Sequence, residues 1–177
     1  ERRPDLVRID DFGVARPVDR GAVQRFKGAK GTYRLLPSPP RFVLLDELAT
    51  AYERTAEVQG MPGWPSEGHT GDALASLERA LDLRRRSHAI APSSPAAELT
   101  EARLLVRLGT VLAARGATRV ALVRHLEALA IYRGEAAPLP TRERLELAQA
   151  LVAVGDDLWE MGDVPAAGLR YREARTE

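Results

Sequence analysis

From Arg41 onward, apolar residues recur at three- and four-residue intervals, the period of a helix with one buried face. Leu45, Leu48, Ala49, Tyr52 and Ala56 make the first stripe, and Ala73, Leu74, Leu77, Ala80, Leu81 and Arg84 the second. Six helices are predicted, over residues 42–59, 70–88, 96–115, 118–133, 141–161 and from 163 to the C-terminus. The breaks between them hold the residues that stop helices. One carries Gly60, Pro62, Gly63, Pro65 and Gly68, another Ala91-Pro92-Ser93-Ser94-Pro95, and a third Pro138 and Pro140. Proline lacks the amide donor and restricts its predecessor, and glycine supplies the left-handed residue that closes a helix. Gly116, Gly134 and Gly162 are predicted to end helices in this way, and Thr141 to cap the fifth at its start.

The later helices repeat one another. Gly109, Gly116, Ala121 and Ala128 are followed 46 positions on by Gly155, Gly162, Ala167 and Ala174 (155 − 109 = 46 and 174 − 128 = 46). A fixed period of this size implies stacked helical pairs. Gly109 and Gly155 lie inside helices, where glycine costs about 1 kcal/mol relative to alanine. That cost is rational where a neighbouring helix packs on the missing side chain. Ala121 with Ala128, and Ala167 with Ala174, are seven apart and share one face of the second helix of each pair. Leu105, Leu108 and Leu112, then Leu151, Val154 and Leu158, supply the bulk.

These landmarks resemble the tetratricopeptide repeat: a large residue, Leu-Gly, a large residue, a turn glycine, then Ala, aromatic, Ala. The third pair carries Tyr171 at the aromatic place and the second has His125 there. A looser first unit carries Tyr52, Ala56, Ala73, Leu77 and Ala80. The period exceeds the family's usual 34 residues by about a dozen. The resemblance implies an all-α array of about three antiparallel hairpins over 42–177 that binds a protein or peptide partner. Arg103, Arg107, Thr110, Asp156 and Glu160 are the candidate partner-binding residues on the first helices. Gly109, Ala121, Ala128, Gly155, Ala167 and Ala174 are the candidate packing residues.

Residues 1–41 have a different texture, rich in Gly, Pro, Arg and Asp, with a β-type run at Leu6-Val7-Arg8-Ile9. Asp10-Asp11-Phe12-Gly13-Val14-Ala15-Arg16 after that run resembles the metal-binding turn of bacterial Ser/Thr protein kinases. Gly31-Thr32-Tyr33-Arg34, followed by Pro37 and Pro39, resembles the end of the kinase activation loop. The resemblance implies Asp11 on Mg²⁺ bridging ATP phosphates and Thr32 holding substrate and catalytic loop. Pro40 stands where the family has an anchoring glutamate. The chain has no Gly-rich phosphate loop, strand lysine with helix glutamate, or His-Arg-Asp loop. It is therefore expected to need no cofactor by itself, with Mg²⁺ and ATP entering only within an intact kinase. A plain β-hairpin is the alternative for residues 1–40.

Composition narrows the classes further. With 26 Lys+Arg against 25 Asp+Glu, the net charge of +1 gives no reason to expect nucleic acid as partner. There is no cysteine, so disulfides, thiolate metal sites and cysteine nucleophiles are excluded. No apolar run is long enough to span a bilayer, so a cytoplasmic setting is expected. Lysine is confined to Lys27 and Lys30, which reads as a high-GC bacterial coding bias. Beginning at Glu1, the chain is expected to be a fragment. Arg84-Arg85-Arg86 reads as a solvated helix end, Asp156, Asp157, Glu160 and Asp163 as a solvated acidic face, Trp159 as core, and Trp64 as a loop residue. His69, His88 and His125 lack metal-ligand spacing.

The reading that follows is an interaction scaffold, the docking or regulatory part of a kinase-like protein. A catalytic or pseudo-catalytic kinase fragment and a self-association module are the alternatives.

Overall fold

The computed structural model describes residues 7–9, 15–17, 40–63, 65–91, 94–134 and 138–177. The chain divides into two units, Glu1–Pro40 and Arg41–Glu177. In the first, β1 (Val7–Ile9) pairs antiparallel with β2 (Ala15–Pro17), Arg8 standing opposite Arg16.

The described residues of the second unit form six helices: α1 (Arg41–Gly60), α2 (Thr70–His88), α3 (Pro95–Ala114), α4 (Thr118–Gly134), α5 (Thr141–Glu160) and α6 (Val164–Ala174). They form three antiparallel hairpins, α1–α2, α3–α4 and α5–α6. Each later hairpin leans on the one before, α3 against α2 and α5 against α4 and α3. The core runs through all three, from Ala49, Leu77 and Ala80, through Leu104, Leu105, Leu108 and Leu129, to Ala150, Leu151 and Val154. Burying each Leu contributes about 1.5–3 kcal/mol, which offsets the ordering of the chain around it.

Helix ends follow local chemistry. Ser94 Oγ accepts from Ala97 N at 3.2 Å, with Pro95 opening α3. Asp163 Oδ1 does the same for Ala166 N at 3.1 Å, with Pro165 in the first turn of α6. At the other ends, Gly116 and Gly162 have φ of +77° and +85°. Ala117 N donates to Leu112 O and Gly116 N to Ala113 O. Asp163 N and Gly162 N donate likewise to Leu158 O and Trp159 O. These are Schellman caps, and the second copies the first 46 residues on. Thr141 does not cap α5. It is the first helical residue, and Pro140 holds the cap position with its carbonyl accepting from Arg144 N at 2.9 Å.

The interior glycines sit under rings. A Cβ built on Gly109 would overlap the imidazole of His125, and one on Gly155 would overlap the phenol of Tyr171. Ala121, Ala128 and Ala167 are fully buried beside these contacts, whereas Ala174 is only half-buried.

Gly109→Ala and Gly155→Ala should each lower stability by about 1–3 kcal/mol in urea unfolding, because overpacking outweighs the gain in helix propensity. Gly134→Ala, whose Cβ would meet nothing within 4 Å, should leave stability unchanged or raise it.

Candidate functional site

The polar chemistry of the array collects at the two seams between hairpins. At the first seam, Arg84 lies on the buried stripe of α2 at 8% exposure. Its Nε and Nη2 donate to Glu53 Oε1 at 3.0 and 2.5 Å, and Nη2 also to Thr50 Oγ1 at 3.3 Å. Glu53 is shared: its Oε2 lies 3.5 Å from Arg107 Nη1, and Arg107 Nη2 pairs with Glu57. One carboxylate of α1 thus ties α2 to α3. Arg85 adds a 3.0 Å bond to Glu101, and His88 lies 3.3 Å from the same carboxylate.

At the second seam, Arg103 grips Glu146 with both Nε and Nη2, at 2.8 and 2.9 Å. The fork matches the carboxylate, and this hydrogen bonding holds the guanidinium pKa above its ordinary value. Tyr132 OH donates to Glu146 Oε2 at 3.3 Å. Burial, and after it the charge of Glu146, pushes the Tyr132 phenol well above its usual range. Deeper in the seam, His125 Nδ1 lies 2.6 Å from Asp157 Oδ2, and His125 Nε2 lies 3.2 Å from the Val106 carbonyl. The carboxylate only accepts, so Nδ1 carries the hydrogen. Across α4 and α6, Arg133 reaches Glu173, which also accepts from Arg170 at 2.8 Å. Partial burial works against ionisation of Glu173, but the two arginines outweigh it and hold its pKa below the ordinary value.

The candidate partner-binding residues divide between these networks and the surface. Arg103 and Arg107 are half-buried in the second and first seams. Thr110 Oγ1 donates to its own helix at Val106 O, 3.0 Å away. Asp156 is exposed and accepts from Tyr171 OH at 2.8 Å, and Glu160 is exposed in the last turn of α5. The five are not gathered into one cluster.

Three expectations need correction. Arg84 follows the α2 stripe on which its spacing placed it, inward onto Glu53, and not the solvated helix end read from the Arg84-Arg85-Arg86 run. Asp157 is not on a solvated face, because Leu147, Ala150 and Val154 place the same stripe of α5 against His125. The spacing itself held that signal, with Asp157 falling three residues after Val154. Trp159 is not core: two positions past Asp157 it leaves the buried stripe and is 57% exposed.

Asp11, Thr32 and Trp64 lie outside the described residues. No group of three or more His, Asp or Glu side chains that could hold a metal ion is present among the described residues. No described helix is long and apolar enough to cross a membrane.

Asp157→Ala leaves the His125 donor without its partner in a site 2% exposed, so urea unfolding should show a loss of about 1–3 kcal/mol. Its neighbour Asp156 bonds only at the surface, and Asp156→Ala should stay within about 0.5 kcal/mol of wild type.

No protein-family model matches this chain, and no curated protein matches it. Among solved structures it is similar to the crystal structure of the TPR domain of Arabidopsis FLU, at 22% identity and a TM-score of 0.50. The match covers 77% of this chain and 92% of that one. Three hairpins in sequential stacking, glycines under rings and this likeness together give residues 41–177 an all-α fold of the tetratricopeptide type.

Proposed function

We propose that this chain is a protein-interaction scaffold that binds an extended or helical segment of another protein along its first helices, α1, α3 and α5. The observation that carries this reading is the ion-paired row linking those three helices: Glu57 and Glu53 of α1, Arg107 and Arg103 of α3, Glu146 of α5. A guanidinium held by carboxylates, Arg103 by one and Arg107 by two, is already ordered and keeps N–H groups for a further acceptor. Binding to it costs less side-chain entropy than binding to a free arginine. Beside the row, Thr110 and the exposed Asp156, Trp159 and Glu160 offer hydrogen bonding, negative charge and an aromatic anchor. A partner segment with acidic groups over α3 and basic groups over α5 fits this arrangement. Docking or regulation within a kinase-like protein is the narrower form of the reading, and it rests on the residue pattern of 4–39 alone.

A random peptide library displayed on phage tests the scaffold reading. Selected peptides should bind the wild-type chain and lose at least about tenfold in affinity with Thr110→Arg plus Glu160→Arg. Val123→Glu, an exposed change on α4, should leave their affinity unchanged. Peptides indifferent to the first pair, or sensitive only to the second site, would place binding elsewhere.

A further inference from the structure

Two exposed faces of the described helices correspond, by the repeat register, to the two sides of the seam between α3–α4 and α5. On α5 and α6 an open apolar groove is lined by Leu145, Ala148, Gln149, Val152, Tyr171, Ala174 and Arg175. Subtracting the 46-residue period turns this lining into Leu99, Ala102, Arg103, Val106, His125, Ala128 and Leu129. In the middle hairpin those residues form the seat that α5 covers. Ala102, His125, Ala128 and Leu129 are at most 2% exposed there. In the last hairpin every member of the seat is more open, with Leu145 at 61% and Val152 at 41%. The groove is the stacking seat of the repeat without a helix upon it.

The opposite end carries the matching helix face. Leu44, Leu48, Ala51, Thr55 and Val58 follow heptad-like spacing along α1 and are all exposed, Leu44 at 48%, Leu48 at 47% and Val58 at 59%. Aligning Ala49, Glu53 and Ala56 with Leu105, Gly109 and Leu112 shifts α1 onto α3 by 56 positions (105 − 49 = 56 and 109 − 53 = 56). Leu44, Leu48, Ala51 and Thr55 then correspond to Thr100, Leu104, Arg107 and Val111 of α3. A further 46 positions gives Glu146, Ala150, Ala153 and Asp157 of α5. This is the face by which each helix grips the hairpin before it: Arg107 reaches Glu53 and Glu57, Glu146 reaches Arg103, and Asp157 reaches His125.

Charge decides which occupant fits. Inside the array, the second seam is bridged by Arg103 with Glu146 and by His125 with Asp157. At the two exposed faces, both members of each pair are replaced by uncharged residues. Gln149 takes the place of Arg103 and would meet Leu44 in place of Glu146. Tyr171 takes the place of His125 and would meet Thr55 in place of Asp157. A helix charged like α5 would bring carboxylates against Gln149 and Tyr171, neither of which supplies the cation that Arg103 and His125 offer in the middle hairpin. The uncharged stripe of α1 avoids that mismatch, and Arg175 is the one charge in the seat. Trp159 extends the match, since it stands where α1 has Glu57 (159 − 57 = 102), the residue that reaches forward to Arg107 of the next hairpin. An exposed tryptophan beside an apolar groove is the side chain that most often anchors an interface.

We infer that copies of this chain stack head to tail, α1 of one copy lying in the α5–α6 groove of the next and extending the array across chains. Such an interface is heterologous: it leaves a free α1 at one end and a free groove at the other, so growth is open-ended. The α1 stripe and the α5–α6 groove differ from the ion-paired row proposed to bind peptides, Trp159 alone being common to both, and different variants test the two readings.

Sedimentation velocity on the full chain over a concentration series tests it, with Leu48→Glu and Val152→Glu as variants at exposed positions. The weight-average mass of wild type should rise with concentration above the 19.4 kDa monomer. Each variant alone should remain monomeric, with helicity by circular dichroism and thermal midpoint unchanged. An equimolar mixture of the two should form a complex of two chains and stop, because Leu48→Glu retains an intact groove and Val152→Glu an intact α1. Wild type that stays monomeric throughout overturns the proposal and leaves both faces to helices of other proteins. Variants that self-associate as wild type does, or a folded mixture that never pairs, overturn it equally.

Discussion

Everything in the helical array depends on how closely the two helices of a hairpin can approach. At Gly109 and Gly155 a ring from the second helix lies where a side chain would be. Both helices then present a broader surface of Leu and Ala to the next hairpin. The glycine is costly to the helix that contains it, and the ring it admits repays that cost through contact. His125 and Tyr171 fill the same place with different reach. Tyr171 turns its hydroxyl to Asp156 on its own hairpin, whereas the shorter His125 reaches across the seam to Asp157. The first hairpin solves the same problem in another way. Glu53 occupies the glycine position, α2 carries the fully buried Leu77 in its core stripe, and Arg84 supplies the closing contact.

The seams combine apolar burial with ion pairs, and the two do different jobs. Burial between hairpins is non-directional and would tolerate small slips of one helix along another. A forked arginine–carboxylate pair tolerates very little. Arg103 with Glu146, and Glu53 between Arg84 and Arg107, therefore set the register of each hairpin on its neighbour. Buried pairs of this kind add little net stability, so their value here lies in selecting one alignment. A half-satisfied network would be worse than an apolar seam, and here both oxygens of Glu53 and of Glu146 have partners.

Much of this was legible in the residues. Helix interiors rarely carry glycine without reason, so Gly109 and Gly155 announced a close approach, and the shared spacing to Gly116 and Gly162 announced a repeat. Prolines and glycines placed the six helices to within one residue, except that α6 ends at Ala174, three residues before the C-terminus. The candidate site was less legible. Arg84 and Asp157 sit in charged runs, Arg84-Arg85-Arg86 and Asp156-Asp157, and a charged run reads as solvent-facing. Only the helical phase separates the buried member from its neighbours, and each partner lies 31 or 32 residues away on another helix. The first pairing is set by how α2 folds back on α1 and the second by stacking of hairpins, and no local pattern encodes either. Trp159 failed for the converse reason: its apolar bulk suggested core, but its phase pointed outward.

The 46-residue period also has a mechanical meaning. Neighbouring hairpins are joined by one seam and one connecting segment, so a load applied along the chain would part the array one seam at a time. A freed repeat of 46 residues would pay out roughly 150–165 Å of extended chain. Parting the second seam in this way means breaking the Arg103–Glu146 and His125–Asp157 contacts together.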